Sequence, residues 1–105
     1  MTKMIHSMIR VFDEKESLKF YHEVLNLREK RRLSFDSFNL IYLGNDESDF
    51  ELELTVNFDA NEPYKLGNGY GHLAVSANNI ESLHKRALEL KYSPNDVKSF
   101  LMAMI

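Results

Sequence analysis

The sequence contains no cysteine and no tryptophan, and only four glycines and two prolines interrupt its 105 residues. Without cysteine the chain forms neither a disulfide nor a thiolate metal site, so any metal ion must be bound by histidine nitrogen or carboxylate oxygen. Neither sign of charge dominates, since 13 basic residues against 16 acidic residues leave a net charge of −3. This balance supplies no field that would attract nucleic acid or an anionic membrane.

Long hydrophobic runs are also absent from the sequence. No apolar run approaches the roughly 20 residues of a membrane span, and the first residues lack the continuous apolar core of a signal peptide. We therefore expect a cytoplasmic protein with no membrane partner. A chain of 105 residues is expected to form a single domain. It is too short to enclose a large ligand cavity easily, so we expect a partner subunit to help build any sizeable site.

The most regular segment is 50–58, in which apolar and polar residues alternate at every position. A period of two is typical of a strand with one face on a core. The predicted core face carries Phe50, Leu52, Leu54, Val56 and Phe58, and the other face carries Glu51, Glu53, Thr55 and Asn57. A strand over 4–12 repeats this arrangement, with His6, Met8 and Arg10 sharing one face. In both strands a candidate metal ligand and a candidate anion- or amide-binding group share a face.

The remaining patterns predict an α+β fold in which strand, helix and three strands are followed by an incomplete second copy. Asp13 is placed to cap the first helix, with Glu16 completing a capping-box pattern. The predicted elements after the strand 4–12 are a helix 14–26, strands 27–35, 38–43, 50–58 and 70–77, and a helix 80–91. The single domain thus comprises a first module (1–58), a linker or active-site loop (59–69) and a partial second module (70–105).

Four segments in this order resemble glyoxalase I, or lactoylglutathione lyase, of the bacterial type, a family of the vicinal oxygen chelate (glyoxalase–bleomycin resistance) superfamily. The matching segments are 6–11, 17–25, 53–58 and 70–76. The resemblance implies glyoxalase-like paired modules and a homodimer whose sites lie between chains. It also implies one divalent metal ion per site, Ni²⁺ or Zn²⁺, held by two histidines and two glutamates.

The resemblance assigns roles to five residues. His6, Glu53 and His72 correspond to metal ligands, and Glu53 also to a catalytic proton carrier, while Arg10 and Asn57 correspond to residues that bind the glutathione portion of the substrate. The implied reaction is isomerisation of the glutathione–methylglyoxal hemithioacetal to S-lactoylglutathione, a carbon–sulfur lyase activity that detoxifies methylglyoxal. The family's fourth ligand, a glutamate on the last strand of the second module, has no counterpart here. We therefore expect the C-terminally truncated chain to be impaired.

Other functions fit the same residues. Two histidines and one carboxylate also suit an iron site, as in a dioxygenase of the same superfamily. A metal-free binding module and a defective truncated form are further alternatives. Without the resemblance, each strand histidine is an ordinary hydrogen-bonded residue, Glu53 pairs with a neighbouring cation such as Arg10, and Asn57 enters a turn. His22 and His84 are expected to face solvent.

The C-terminal segment 99–105 is apolar and does not resemble the continuation of the family. We interpret it as the product of a frameshift, with a natural short form whose tail packs on a partner as the alternative. Loss of three strands would expose the edge of the strand 70–77 and one face of the helix 80–91. We expect a second chain to cover these surfaces.

Overall fold

The computed structural model describes residues 1–97. Within this range the elements are β1 (His6–Arg10), α1 (Glu14–Leu25), β2 (Arg28–Ser34), β3 (Phe38–Asn45), β4 (Ser48–Asn57) and α2 (Ile80–Glu89). The chain divides into two compact units, Met1–Lys65 and Leu66–Ile105. The predicted α+β class and the order strand, helix and three strands in the first unit are confirmed.

The first unit contains a four-stranded sheet in the order β1-β4-β3-β2. Strand β1 pairs with β4 in parallel, whereas β2 with β3 and β3 with β4 are antiparallel. A parallel pair requires a crossover connection, and here α1, β2 and β3 supply it. This topology places β4 between β1 and β3, so side chains of β4 have neighbours on both sides.

Helix α1 has well-defined ends. The Asp13 carboxylate accepts a hydrogen bond from the Glu16 backbone N–H at 3.0 Å, which confirms the predicted cap. The helix ends at Leu25 and is capped by Asn26, whose φ of 55° is left-handed. Asparagine tolerates this conformation better than most residues. Tyr21 and Val24 are buried and form the apolar face of the helix.

The core of the first unit lies on the sheet face that α1 covers. Its most completely buried side chains are Ile41, Leu43 and Leu54. On the same face Arg32 donates to Glu14, at the start of α1, over 3.2 Å, and to Glu29 over 2.8 Å. The hydrogen bond from Arg32 lowers the pKa of Glu29 below its usual value. These bonds connect the start of α1 to β2.

The two faces of β4 differ from the prediction. Phe50 and Phe58, predicted on the core face, are 38% and 54% exposed. They lie near the two ends of the strand, whereas Leu54 at its centre is fully buried. On the face predicted to be wetter, Glu53 and Thr55 are buried, because β1 and β3 flank them. A buried carboxylate needs polar partners, and those partners define the candidate site.

The second unit contains α2, which is capped by Asn79 through a 3.1 Å hydrogen bond from the Ser82 backbone N–H. The prediction of a strand over 70–77 is wrong, since the structure forms no strand there. Only Leu73 forms an isolated bridge, and most of the segment is exposed. A strand requires a hydrogen-bonded neighbour, and residues 66–97 contain no second extended segment that could supply one. The tail interpreted as frameshifted, 99–105, lies outside the described residues.

The helices of the described chain are short. None of those found in residues 1–97 is long and apolar enough to cross a membrane.

Candidate active site

The predicted site residues of β1 and β4 share the sheet face that points away from α1. The parallel register pairs His6 with Glu51, Met8 with Glu53, and Arg10 with Thr55. Because side chains alternate along each strand, these residues all project from the same face. Periodicity predicted the face that these residues share within each strand, and the β1–β4 register places the two faces on the same side of the sheet.

His6 and Glu53 are in direct contact. The Nε2 atom of His6 lies 3.3 Å from the Oε1 atom of Glu53, and the side chains are 37% and 10% exposed. The alternative in which Glu53 pairs with a cation such as Arg10 is not what the structure shows, since the ion-pair partner of Glu53 is His6. One imidazole nitrogen and one carboxylate oxygen, side by side and reachable from solvent through His6, are donors that nickel and zinc accept. These two residues fit part of a divalent metal site.

Tyr42 supports the carboxylate from the neighbouring strand. It lies opposite Glu53 in the β3–β4 register and is only 6% exposed. Burial raises the pKa of Tyr42, and its hydrogen bond to Glu53 raises it further. The phenol therefore keeps its proton at neutral pH and donates it in the hydrogen bond.

The aromatic ring of Tyr42 is held by two other residues. The guanidinium carbon of Arg31 lies 3.7 Å from the ring centroid, within the range of a cation–π interaction. The His6 ring meets the Tyr42 ring edge-on at 5.9 Å, with an interplanar angle of 90°. Arg31 also contacts the Glu51 carboxylate at 3.2 Å, so Glu51 is neutralised by an arginine.

The sequence patterns did not predict that Tyr42 and Arg31 belong to the site. The alternation of β3 indicates that Phe38, Leu40 and Tyr42 share a face. It does not define which strand lies beside β3 or the register of that pairing. A tyrosine that falls opposite a glutamate across an antiparallel pair is the signal that could have found it.

The two predicted substrate-binding residues lie towards one end of the same face. Arg10 is the last residue of β1, and its side chain is exposed. Asn57 is the last residue of β4, and its side-chain oxygen accepts a hydrogen bond from the Tyr64 hydroxyl at 3.4 Å. This bond leaves the Asn57 amide nitrogen able to donate to another group. Both residues thus offer hydrogen-bond donors.

His72 belongs to the second unit, where it is exposed. Within residues 1–97, no group of three or more histidine, aspartate or glutamate side chains comes together as a metal site. The structure thus joins His6 and Glu53, and the role of His72 stays a prediction.

The two helical histidines behave differently from each other. His22 is exposed, as expected. His84 was expected to face solvent, but its Nε2 atom is buried and has no hydrogen-bond partner among the described residues. Helix α2 buries Ala87 on one side, and His84 lies one turn before it on the same side.

Comparison with known sequences identifies relatives. Residues 3–97 match the Glyoxalase/Bleomycin resistance protein/Dioxygenase superfamily. Lactoylglutathione lyase of Neisseria meningitidis serogroup A is 44% identical over 77 residues, covering 70% of this chain and 55% of the relative. The probable lactoylglutathione lyase of Synechocystis sp. is 36% identical over 83 residues, covering 75% of this chain and 63% of the relative. The chain therefore spans less than two thirds of the length of these curated relatives.

Solved structures give the same result. Glyoxalase I of Leishmania major, described as trypanothione-dependent, aligns with a TM-score of 0.81 and 32% identity over 95% of this chain and 73% of its own. Glyoxalase I of Zea mays aligns with a TM-score of 0.75 and 25% identity over 84% of this chain and 32% of its own. Because the family match spans nearly all of the described residues, the chain belongs to the glyoxalase/bleomycin resistance protein/dioxygenase superfamily.

Proposed function

We propose that this chain acts as a metal-dependent lactoylglutathione lyase, which isomerises the hemithioacetal of methylglyoxal and glutathione to S-lactoylglutathione. The observation that carries the proposal is the contact of His6 Nε2 with Glu53 Oε1 at 3.3 Å, inside the segment that matches the superfamily. Neither residue is needed to fill the apolar core, since both lie on the opposite face of the sheet. A histidine and a buried carboxylate placed together in this way suit metal binding and proton transfer.

His6 and Glu53 would hold one nickel or zinc ion. When bound, the metal acts as a Lewis acid that polarises the substrate oxygens. The Glu53 carboxylate removes the proton from the carbon that bears sulfur and delivers it to the adjacent carbonyl carbon. Together with movement of the hydroxyl proton to the former carbonyl oxygen, this transfer turns the hemithioacetal into the thioester of a hydroxy acid without any net oxidation. Burial of Glu53 keeps water away from the proton during the transfer.

Arg10 and Asn57 would bind the thiol portion of the substrate. The exposed Arg10 guanidinium can hold a carboxylate with two parallel hydrogen bonds. The amide nitrogen of Asn57 can donate to a peptide carbonyl, because the Tyr64 hydroxyl occupies its oxygen. Two donors on the same face of the sheet as His6 and Glu53 favour a thiol that carries carboxylate and amide oxygens, as glutathione does.

His72 would complete the site from a second chain. Residues 1–97 of a single chain do not gather three ligands, and a shared site is compatible with this arrangement. In a two-fold symmetric dimer, the first unit of each chain would meet the second unit of its partner at two equivalent sites. We therefore propose a homodimer as the active form.

The proposal is tested by following thioester formation from methylglyoxal and thiol with the metal-free chain, and again after nickel or zinc is added. We expect thioester formation with glutathione only after metal is added. Trypanothione is the second thiol to compare, since the Leishmania major relative is described as dependent on it. Absence of thioester with either thiol and either metal would overturn the proposal, and iron-dependent oxygen consumption would instead support the dioxygenase alternative.

A further inference from the structure

We propose that Tyr42 is a positioning residue that fixes the side chains of His6 and Glu53 for metal binding. This inference rests on the part of the proposed function that gives these two residues a metal. Tyr42 itself is not assigned as a metal ligand, since it contacts both proposed ligands, Glu53 through its hydroxyl and His6 through its ring. It acts through the two ligands from β3, which lies directly beside the β4 strand of Glu53 and one strand further from the β1 strand of His6.

The position of Tyr42 follows from the sheet register. Arg31 of β2 pairs with Tyr42 of β3, Tyr42 pairs with Glu53 of β4, and Met8 of β1 also pairs with Glu53. These four residues form one row across the whole sheet and share the face that points away from α1. A side chain in such a row reaches its direct cross-strand neighbours. The Tyr42 hydroxyl accordingly bonds the Glu53 carboxylate.

The Tyr42 ring has little freedom to move. It is 6% exposed, the Arg31 guanidinium stacks on its face at 3.7 Å, and the His6 ring meets it edge-on at 5.9 Å. Arg31 is itself held by Glu51 at 3.2 Å. This ion pair keeps the guanidinium on the ring and leaves the Glu53 carboxylate to its contacts with Tyr42 and His6.

These contacts would lower the conformational entropy that His6 and Glu53 lose when they bind a metal ion. A free glutamate side chain loses rotamer freedom when it binds a metal, which weakens the net affinity. A hydroxyl hydrogen bond on the Glu53 carboxylate, together with the ring contact on His6, removes part of that freedom before the metal arrives. Residues that orient metal ligands in this way typically contribute about 10- to 100-fold to metal affinity or activity.

The test is the Tyr42→Phe variant, which removes the hydroxyl and keeps the ring that contacts Arg31 and His6. We expect the affinity for nickel and for zinc, measured by competition with a chelator, to fall about 10-fold or more. The visible absorption spectrum of the Co²⁺-loaded chain should also change, because the orientation of Glu53 at the metal changes. Equal thermal unfolding midpoints of wild type and variant verify that the fold is intact.

Tyr64→Phe is the matched control, since it removes a hydroxyl that bonds Asn57 rather than a proposed ligand. Its metal affinity and Co²⁺ spectrum should equal those of the wild type. Equal metal affinity of Tyr42→Phe and wild type would overturn the inference and leave the proposed function standing. If the wild-type chain forms no thioester but Tyr42→Phe still binds metal more weakly than wild type, the inference is supported and the proposed function fails. A wild-type chain that binds no divalent metal would overturn both.

Discussion

Replacement of Glu53 by glutamine should slow thioester formation at least about 100-fold. The change keeps the size of the side chain, and the amide oxygen can still accept the Tyr42 hydroxyl, so we expect the fold to persist. The amide is a poor metal ligand and cannot take up a proton at neutral pH. General acid–base groups typically contribute about 100- to 10,000-fold to a rate, so the rate should fall at least about 100-fold. The measurement is thioester formation at saturating nickel.

Asp49→Asn provides the matched control for this variant. Asp49 lies on the same strand, its side chain is 88% exposed, and its contact is a surface pair with Lys3 at 3.3 Å. The same acid-to-amide change at this position should leave the rate within a few-fold of wild type. A Glu53→Gln variant as active as Asp49→Asn would mean that Glu53 neither binds the essential metal nor carries the proton.

Truncation of Leu54 to alanine should have the largest effect on stability. Leu54 is 0% exposed, lies at the centre of β4, and pairs with Ile9 and Ile41 on the strands to either side. Its loss leaves a cavity enclosed by the sheet and α1. Substitutions of this kind typically cost about 2–5 kcal/mol, against a total stability of about 5–15 kcal/mol for a typical domain. Urea unfolding measured by circular dichroism gives the difference.

Leu33→Ala is the comparison in the same sheet. Leu33 lies on the edge strand β2 and is 44% exposed, so we expect the free energy of unfolding to change by about 0.5 kcal/mol or less. Equal losses for the two variants would contradict the placement of the core between α1 and the face that carries Leu54.

The first unit was predictable from the sequence because its signals are local. Strict alternation over 50–58 predicted β4, which spans Ser48–Asn57, and Asp13 with Glu16 predicted the start of α1. These features need only neighbouring residues for their explanation. The side-by-side arrangement of His6 and Glu53 was an expectation from family resemblance, since the alternation of each strand alone does not state their pairing.

The errors arose where structure depends on a distant partner. The segment 70–77 alternates well enough to read as a strand, but a strand forms only against a neighbour, and residues 66–97 provide none. Burial of Glu53, and the contacts of Tyr42 with Glu53 and His6, depend on the β3–β4 register, which periodicity does not define. The apolar alternation over 50–58 likewise does not predict that Phe58 is exposed.

The central claim is that His6 and Glu53 of one chain and His72 of another form one active site, and mixing two inactive variants tests it most directly. His6→Ala and His72→Ala chains are each assayed for thioester formation, then unfolded together in equal amounts, refolded with nickel and assayed again. About half of the random dimers would be mixed, and each would hold one intact site, so about one quarter of the wild-type activity should return. Activity no higher in the mixture than in the separate variants would contradict the claim.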